Sequence, residues 1–341
     1  MDLYQSQKQT TMQCTTLPRQ ILGIDVSKKT LDFCELSGKR RASHVIENDA
    51  GAIEAFLESY KVSETVIAME NTGRYNWALY EVLAQKEFIV YVLNPIHLHK
   101  SLGLVRGKDD KIDAYRVAEY TSRHLDQLQR WQPEDDDVQE LKLLLNERNQ
   151  LVATKKRISV RLSEFDLINL KDYSERLHRR SLRSQQEVDR DIKEVEREIN
   201  ELISANDHLS NVAQWITSVT GVGKVLCWYL IAKTNAFRNI NNPRKIACYC
   251  GVAPFNHQSG TSLKKRPGVS QFADKQLKTL LHMGALTAVK YDPELRLYYR
   301  RKVEEGKCKM SVLNAVRNKL LQRICAVVRN EKNYERRLVL S

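Results

Sequence analysis

The chain has 341 residues, more than one typical domain, and carries 55 Lys and Arg against 42 Asp and Glu, a formal net charge of +13. No apolar run is long enough to cross a bilayer, and the polar start Met1-Asp2-Leu3-Tyr4-Gln5 lacks the apolar core of a signal peptide. Neither a membrane protein nor a secreted one is expected, and a cytoplasmic location is. Seven cysteines, an odd number without metal-ligand spacing, fit reduced thiols, and Cys248-Tyr249-Cys250 is too solitary to argue for zinc.

A polar tail, residues 1–19, precedes the first patterned region, which spans 20–130. Strand signals fall near 21–26, 30–37 and 42–47, followed by a helix from about 50, a strand ending at Glu70, a helix through Trp77 to Lys86 and the strand Phe88-Ile89-Val90-Tyr91-Val92. Three strands in meander and then strand-helix alternation predict an α/β mixed sheet with right-handed crossovers, in an RNase H-like order. Asp25 ends the apolar run Ile21-Leu22-Gly23-Ile24, and Glu70 closes Thr65-Val66-Ile67-Ala68-Met69. Carboxylates at the carboxyl ends of core strands stand at the edge where α/β sheets bind ligands. Asp110 and Asp113 are spaced i, i+3 at the start of a predicted helix and share one of its faces, with Asp109 reading as its N-cap. Hard oxygen ligands converging from two strand ends and one helix suit paired Mg2+ ions acting on phosphodiesters. Taken singly, each acid has an ordinary alternative as a turn former or a first-turn partner of the helix dipole. The conjunction of four is the informative feature.

From Glu134 to Thr220 there is neither Gly nor Pro, an 87-residue stretch that predicts helix. Leu141, Leu144, Arg148, Leu151, Lys155, Ile158, Leu162 and Phe165 follow alternating spacings of three and four, as do Val188, Ile192, Val195, Ile199 and Leu202. A coiled-coil hairpin over 134–205 is expected, with Arg148 and Lys155 interrupting its seam. Whether the hairpin pairs within one chain or between subunits stays open.

The last region, 206–341, is expected to be mainly helical. Its Thr220-Gly221-Val222-Gly223-Lys224 joins two apolar helical patterns and resembles a helix-hairpin-helix, in which Gly221, Gly223 and Lys224 would meet a nucleic-acid backbone. An ordinary tight helix-helix turn explains it about as well. Asn242-Pro243 starts a short helix that Gly251 stops. Beyond it, Gly251 to Arg266 reads as a loop with Ser259-Gly260-Thr261-Ser262 at its centre and the cations Lys264, Lys265 and Arg266 beside it. On composition, Ser259 and Ser262 are turn residues, and a serine nucleophile needs an activator that spacing does not supply. Residues 264–341 hold 19 basic and 7 acidic side chains, nearly all of the chain's excess and the footprint of a polyanionic partner.

Four segments in order, Gly23-Ile24-Asp25-Val26-Ser27-Lys28, Met69-Glu70-Asn71-Thr72-Gly73, Lys108-Asp109-Asp110-Lys111-Ile112-Asp113-Ala114, and Gly251-Val252-Ala253-Pro254 with Gln258-Ser259-Gly260, resemble the DEDD-type insertion-sequence transposases related to Piv-type DNA invertases. The resemblance covers nearly the whole chain. It implies a RuvC-like DEDD domain joined to a coiled coil and a C-terminal domain carrying a catalytic serine. Carried over by motif, Asp25, Glu70, Asp110 and Asp113 are the metal-binding acids and Ser259 is the nucleophile, ahead of Ser262. Asp109 departs from the pattern, since the family more often has threonine there. The resemblance further implies donor and target double-stranded DNA, a structured bridge RNA that carries sequence specificity by base pairing, dimers pairing into a synaptic tetramer, and action at the bacterial nucleoid. Two other classes compete: a RuvC-like junction resolvase or nuclease with water as nucleophile, told apart by the absence of a covalent protein–DNA adduct, and a non-catalytic nucleic-acid scaffold, excluded by metal-dependent strand cleavage.

Overall fold

The computed structural model describes residues 19–71, 73–101, 110–165, 167, 171–238, 240, 242–259, 263–270 and 272–335, without the side chains of 74, 171, 256–259 and 263–267. The chain forms two compact units divided between Pro133 and Glu134. Among the described residues no helix is long and apolar enough to cross a membrane.

In the first unit, β1 (Gln20–Val26), β2 (Thr30–Ser37) and β3 (Arg40–Glu47) form an antiparallel meander. The helix α1 (Ala50–Leu57) leads to β4 (Thr65–Glu70), and α2 (Trp77–Ala84) leads to β5 (Ile89–Leu93). Both later strands run parallel to β1, giving one mixed sheet in the order β3-β2-β1-β4-β5. Two further helices follow, α3 (Pro95–Ser101) and α4 (Asp110–His124).

The central strands are apolar at nearly every position because both faces of the sheet are covered. Leu22, Ile24, Ile67 and Met69 pack with Ile53, Leu57, Leu79 and Val82 of α1 and α2. Their neighbours Ile21, Val66 and Ala68 point the other way, towards Val117 and Ala118 of α4. The strand β3 is exposed at nearly every position, an edge that Arg40 and Arg41 keep charged. Asp49 caps α1, its carboxylate accepting from the Ala52 N–H at 3.0 Å.

The second unit opens with two long helices, α5 (Asp136–Phe165) and α6 (Lys171–Ala205). They run antiparallel: Arg148 meets Glu196 at 2.7 Å, Lys155 meets Asp189 at 2.5 Å, and Gln185 Nε2 donates to Ser159 Oγ at 2.9 Å. The two cationic seam positions expected from sequence therefore pair with carboxylates of the facing helix. Apolar burial concentrates at the open end, where Val138, Leu141, Leu145, Val195, Ile199 and Ile203 merge with the core of the remaining helices.

Those helices are α7 (Asp207–Ser218), α8 (Lys224–Thr234), α9 (Pro243–Tyr249), α10 (Lys275–Tyr291), α11 (Pro293–Glu304) and α12 (Lys309–Asn330). At its centre lies α8, buried on every side from Leu226 to Ala232. Asn242 caps α9 through the N–H groups of Arg244 and Lys245, and Gly251 stops it with φ +63°.

Between α9 and α10 the structure corrects the sequence reading. The expected loop over Gly251 to Arg266 is a β-hairpin, β6 (Pro254–Ser259) paired antiparallel with β7 (Leu263–Val269). The strands carry mostly polar and cationic residues, with Pro267 inside the second and an irregularity between Phe255 and His257. No apolar alternation marks them in the sequence.

Candidate active site

The four acids of the first unit reach one edge of the sheet from three elements. Asp25 is the penultimate residue of β1, set opposite Asp32 of β2, and Glu70 is the last residue of the parallel neighbour β4. Asn76, buried in a short 3-10 turn over Gly73–Asn76, donates through Nδ2 to the Glu70 carbonyl at 2.9 Å and fixes the end of β4. Asp110 and Asp113 occupy the first turn of α4.

What brings α4 to this edge is a set of small residues. A Cβ on Gly23 would lie 2.3 Å from the Ala114 carbonyl oxygen, 2.5 Å from the Ala118 nitrogen and 2.8 Å from the Ala118 Cβ. Only a glycine in β1, facing alanines spaced i, i+4 on the helix, allows backbone to meet backbone there. Ala114 directly follows Asp113, and Gly23 lies two residues before Asp25. The contact that requires the glycine thus also sets the helix-borne acids beside the strand-borne ones.

The electrostatics show that the acids share one field. The Asp25 carboxyl is pushed up to about 6, first by burial and then by the negative charges of Asp110, Asp113, Asp32 and Glu70. Burial also raises Glu70, an effect opposed by His99 and reinforced by Asp113. Asp113 itself accepts a 2.6 Å ion pair from Arg116 one turn later. Four carboxylates gathered at one end of the sheet are a donor set suited in charge and hardness to divalent cations. Among the described residues no three His, Cys, Asp or Glu side chains close around a single point as they stand. Three contributors were not anticipated from sequence: Asp32, His99 and Arg116. The i, i+3 spacing of Arg116 from Asp113 was the one visible signal.

In the second unit, Ser259 is the last residue of β6, opposite Leu263 at the hairpin tip. Its side chain and those of Lys264, Lys265 and Arg266 lie outside the described residues, as do Ser262 and Asp109 altogether. The glycines of the turn before α8 differ from each other. Gly221, at φ +98°, abuts α10, where an added Cβ would lie 2.5 Å from the Gly284 carbonyl oxygen. Helix packing accounts for it. Gly223 meets nothing within 4 Å, begins α8 without a side-chain cap and is exposed together with Lys224.

Comparison with known proteins gives the lineage. Residues 22–165 match the DEDD transposase family of IS110 type, described as "Transposase", and residues 213–300 match the family described as "Transposase IS116/IS110/IS902 family". The chain belongs to the IS110-type transposases. The first match takes in all four acids, and the second takes in Ser259 with its hairpin.

Among relatives of this IS110-type chain, the pilin gene-inverting protein of Moraxella bovis is 26% identical over 94% of this chain and 99% of its own length. A putative transposase, y4rJ, of Sinorhizobium fredii is 26% identical over 79% of this chain and 80% of its own. The insertion element IS110 43.6 kDa protein of Streptomyces coelicolor is 28% identical over 42% of this chain and 34% of its own.

Proposed function

We propose that this protein is a DNA recombinase of an insertion sequence, cutting and rejoining donor and target DNA through a covalent phosphoserine at Ser259. The observation that carries the reading is the shared field of Asp25, Glu70, Asp110 and Asp113 at one sheet edge, inside the segment that matches a transposase family. Relatives named for pilin gene inversion and for transposition support DNA rearrangement as the outcome. The strand order β3-β2-β1-β4-β5 is the one expected of an RNase H-like, RuvC-like domain over 20–130. With it go a coiled-coil hairpin over 134–205 and a C-terminal transposase domain over 206–341.

In this reading the four acids hold divalent cations, taken as two Mg2+, which supply Lewis-acid polarisation of the scissile phosphoryl group when bound. The Ser259 hydroxyl gives up its proton as its Oγ bonds to phosphorus, and the bond from phosphorus to one sugar oxygen breaks. The departing oxygen takes up a proton. One phosphodiester is exchanged for another, so the strand end is kept as a phosphoserine, and an incoming hydroxyl reverses the step on a new strand without ATP. Asp25, raised to about 6, is ionised at neutral pH and available as a ligand. A structured bridge RNA and a homo-oligomer, tetrameric in synapsis, complete the reading, with nucleoid DNA as the substrate.

The test is to incubate the full chain, Mg2+ and RNA transcribed from the flanks of its element with donor and target DNA, then to look for recombinant joints and a denaturation-resistant protein–DNA adduct. Joints and an adduct that both vanish in Ser259→Ala are expected. Cleavage without any adduct would instead assign a nuclease that uses water.

A further inference from the structure

One arginine in the second unit is buried without a counter-ion. Arg317 of α12 is only 5% exposed. Its Nη2 donates to His282 Nδ1 on α10 at 2.7 Å and its Nη1 to Asn314 Oδ1 at 3.4 Å, while Nε is buried with no partner. Among the described residues it has no carboxylate partner. An uncompensated buried charge is costly, so an anion from elsewhere is the natural complement.

The surroundings say where that anion would sit. Asn314 Nδ2 donates at 2.9 Å to the carbonyl of Val252, two residues before β6 begins. Gly251, at φ +63°, has Lys278 of α10 beside it: a Cβ there would lie 3.5 Å from Lys278 Cδ and 4.0 Å from its Nζ. Lys278 and His282 are one turn apart on the same face of α10. Asp274, one turn earlier, is engaged by Lys233 at 3.4 Å and caps the helix through the N–H groups of Gln276 and Leu277. A guanidinium can only donate, so His282 Nδ1 must accept and the neutral ring carries its proton on Nε2. His282 and Lys278 are both half-buried, so each keeps some exposure to solvent on this face of α10.

We propose that His282 and Lys278 receive one backbone phosphate of duplex DNA at the root of the β6–β7 hairpin, with Arg317 as the positioning residue behind them. Arg317 fixes the donor tautomer of His282 and adds charge from beneath. The proposal rests on the reading of this hairpin as the element that engages DNA, and it anchors the duplex at the hairpin's root without making any of the three residues catalytic.

Full-length protein and a short duplex of arbitrary sequence, titrated at several salt concentrations, provide the test. Lys278→Met should flatten the dependence of log affinity on log salt by about 0.9, the contribution of one phosphate contact. His282→Ala removes a neutral donor, so it should weaken binding by roughly tenfold at each salt concentration and leave the slope unchanged. Nitrogen NMR of the wild-type imidazole should show the Nε2–H tautomer, with the Nε2 resonance moving when duplex is added. Thermal melts of each variant identify any folding defect, which His282→Ala risks by removing the partner of the buried Arg317, and Lys278→Met, which leaves that pair intact, keeps the test decisive. Wild-type affinity and slope in both variants would overturn the proposal, as would losses confined to an RNA hairpin offered in place of the duplex. If no serine adduct ever forms yet Lys278→Met flattens the slope on DNA, the serine mechanism falls and the phosphate site stands.

Discussion

The sheet edge of the first unit and the hairpin of the second carry the two halves of the proposed chemistry, and they are built in opposite ways. At the sheet edge, every acid is attached to an element whose other face is core. Ile24 and Met69, the neighbours of Asp25 and Glu70, are fully buried, and Ala114, beside Asp113, is too. The hairpin is a two-stranded ribbon of polar residues whose root is tied to the helical core through Val252, held by Ala247 and Asn314. On the proposed reading, ligand geometry is set by packing in one region, whereas in the other the nucleophile belongs to a two-stranded hairpin.

The sharpest way to break this contrast is chemical. Asp25→Ala or Asp113→Ala should lower DNA cleavage by roughly a hundredfold to a thousandfold or more, while nucleic-acid binding changes little, since removing a carboxylate also removes repulsion of phosphate. Substantial Mg2+-dependent cleavage by either variant would sink the assignment of the acids. Ser259→Ala should be equally inactive in strand exchange but retain its thermal midpoint, because a polar residue at a hairpin tip contributes within about 0.5 kcal/mol to stability.

Next in size is the effect of packing. Gly23→Ala places a methyl group inside the backbone of α4 and should destabilise the first unit by about 1–3 kcal/mol while abolishing cleavage, although no acid is touched. Chemical denaturation followed by a cleavage assay checks both. Gly223→Ala, where nothing lies within 4 Å, should cost under about 1 kcal/mol. A Gly23→Ala protein with full activity would show that the helix is not what places Asp110 and Asp113.

A smaller effect should appear in the pH dependence. The Asp25 carboxyl is raised from 3.8 to about 6, so its contribution to stability is fully present below 3.8 and is lost as pH rises through 6. Without divalent cations, Asp25→Asn should therefore melt at a higher temperature than the native chain at pH 7.5, and the difference should shrink towards pH 4. Added Mg2+ should stabilise the native chain more at pH 7.5 than at pH 5, and Asp25→Asn much less; equal gains in both proteins would place the cation elsewhere.

The smallest effect concerns the cations beside Ser259. Neutralising Lys264, Lys265 and Arg266 together should flatten the log–log salt dependence of duplex binding by roughly 2–3 units, fairly evenly across sequences, if all three meet phosphate. An unchanged slope would make them a solvated face of β7.

The same contrast explains what could be read from the sequence. Elements that bury apolar residues announced themselves: β1, β4 and β5 as apolar runs, and α5 and α6 by their seam spacing. Even Arg148 and Lys155 were visible as interruptions, though their partners Glu196 and Asp189 lie on a helix whose alignment only the fold supplies. The hairpin was not legible, since its strands show no apolar alternation and Pro267 reads as a breaker. Nor was the reason for Gly23, which lies in Ala114 and Ala118, more than ninety positions downstream. Asp32 and His99 act on Asp25 and Glu70 through space, across a strand pairing and a crossover that spacing does not reveal.

The close approach at Gly23 also bears on how copies of such a chain decay. On the proposed reading, a gene carrying intact Asp25, Glu70, Asp110 and Asp113 would be inactivated just as surely by a larger residue at 23, 114 or 118, because the helix that bears half of the acids then has nowhere to lie. Uncharged positions in the packing of β1 against α4 are therefore as diagnostic of a living copy as the acids themselves, and a census of active and silent copies should score them together.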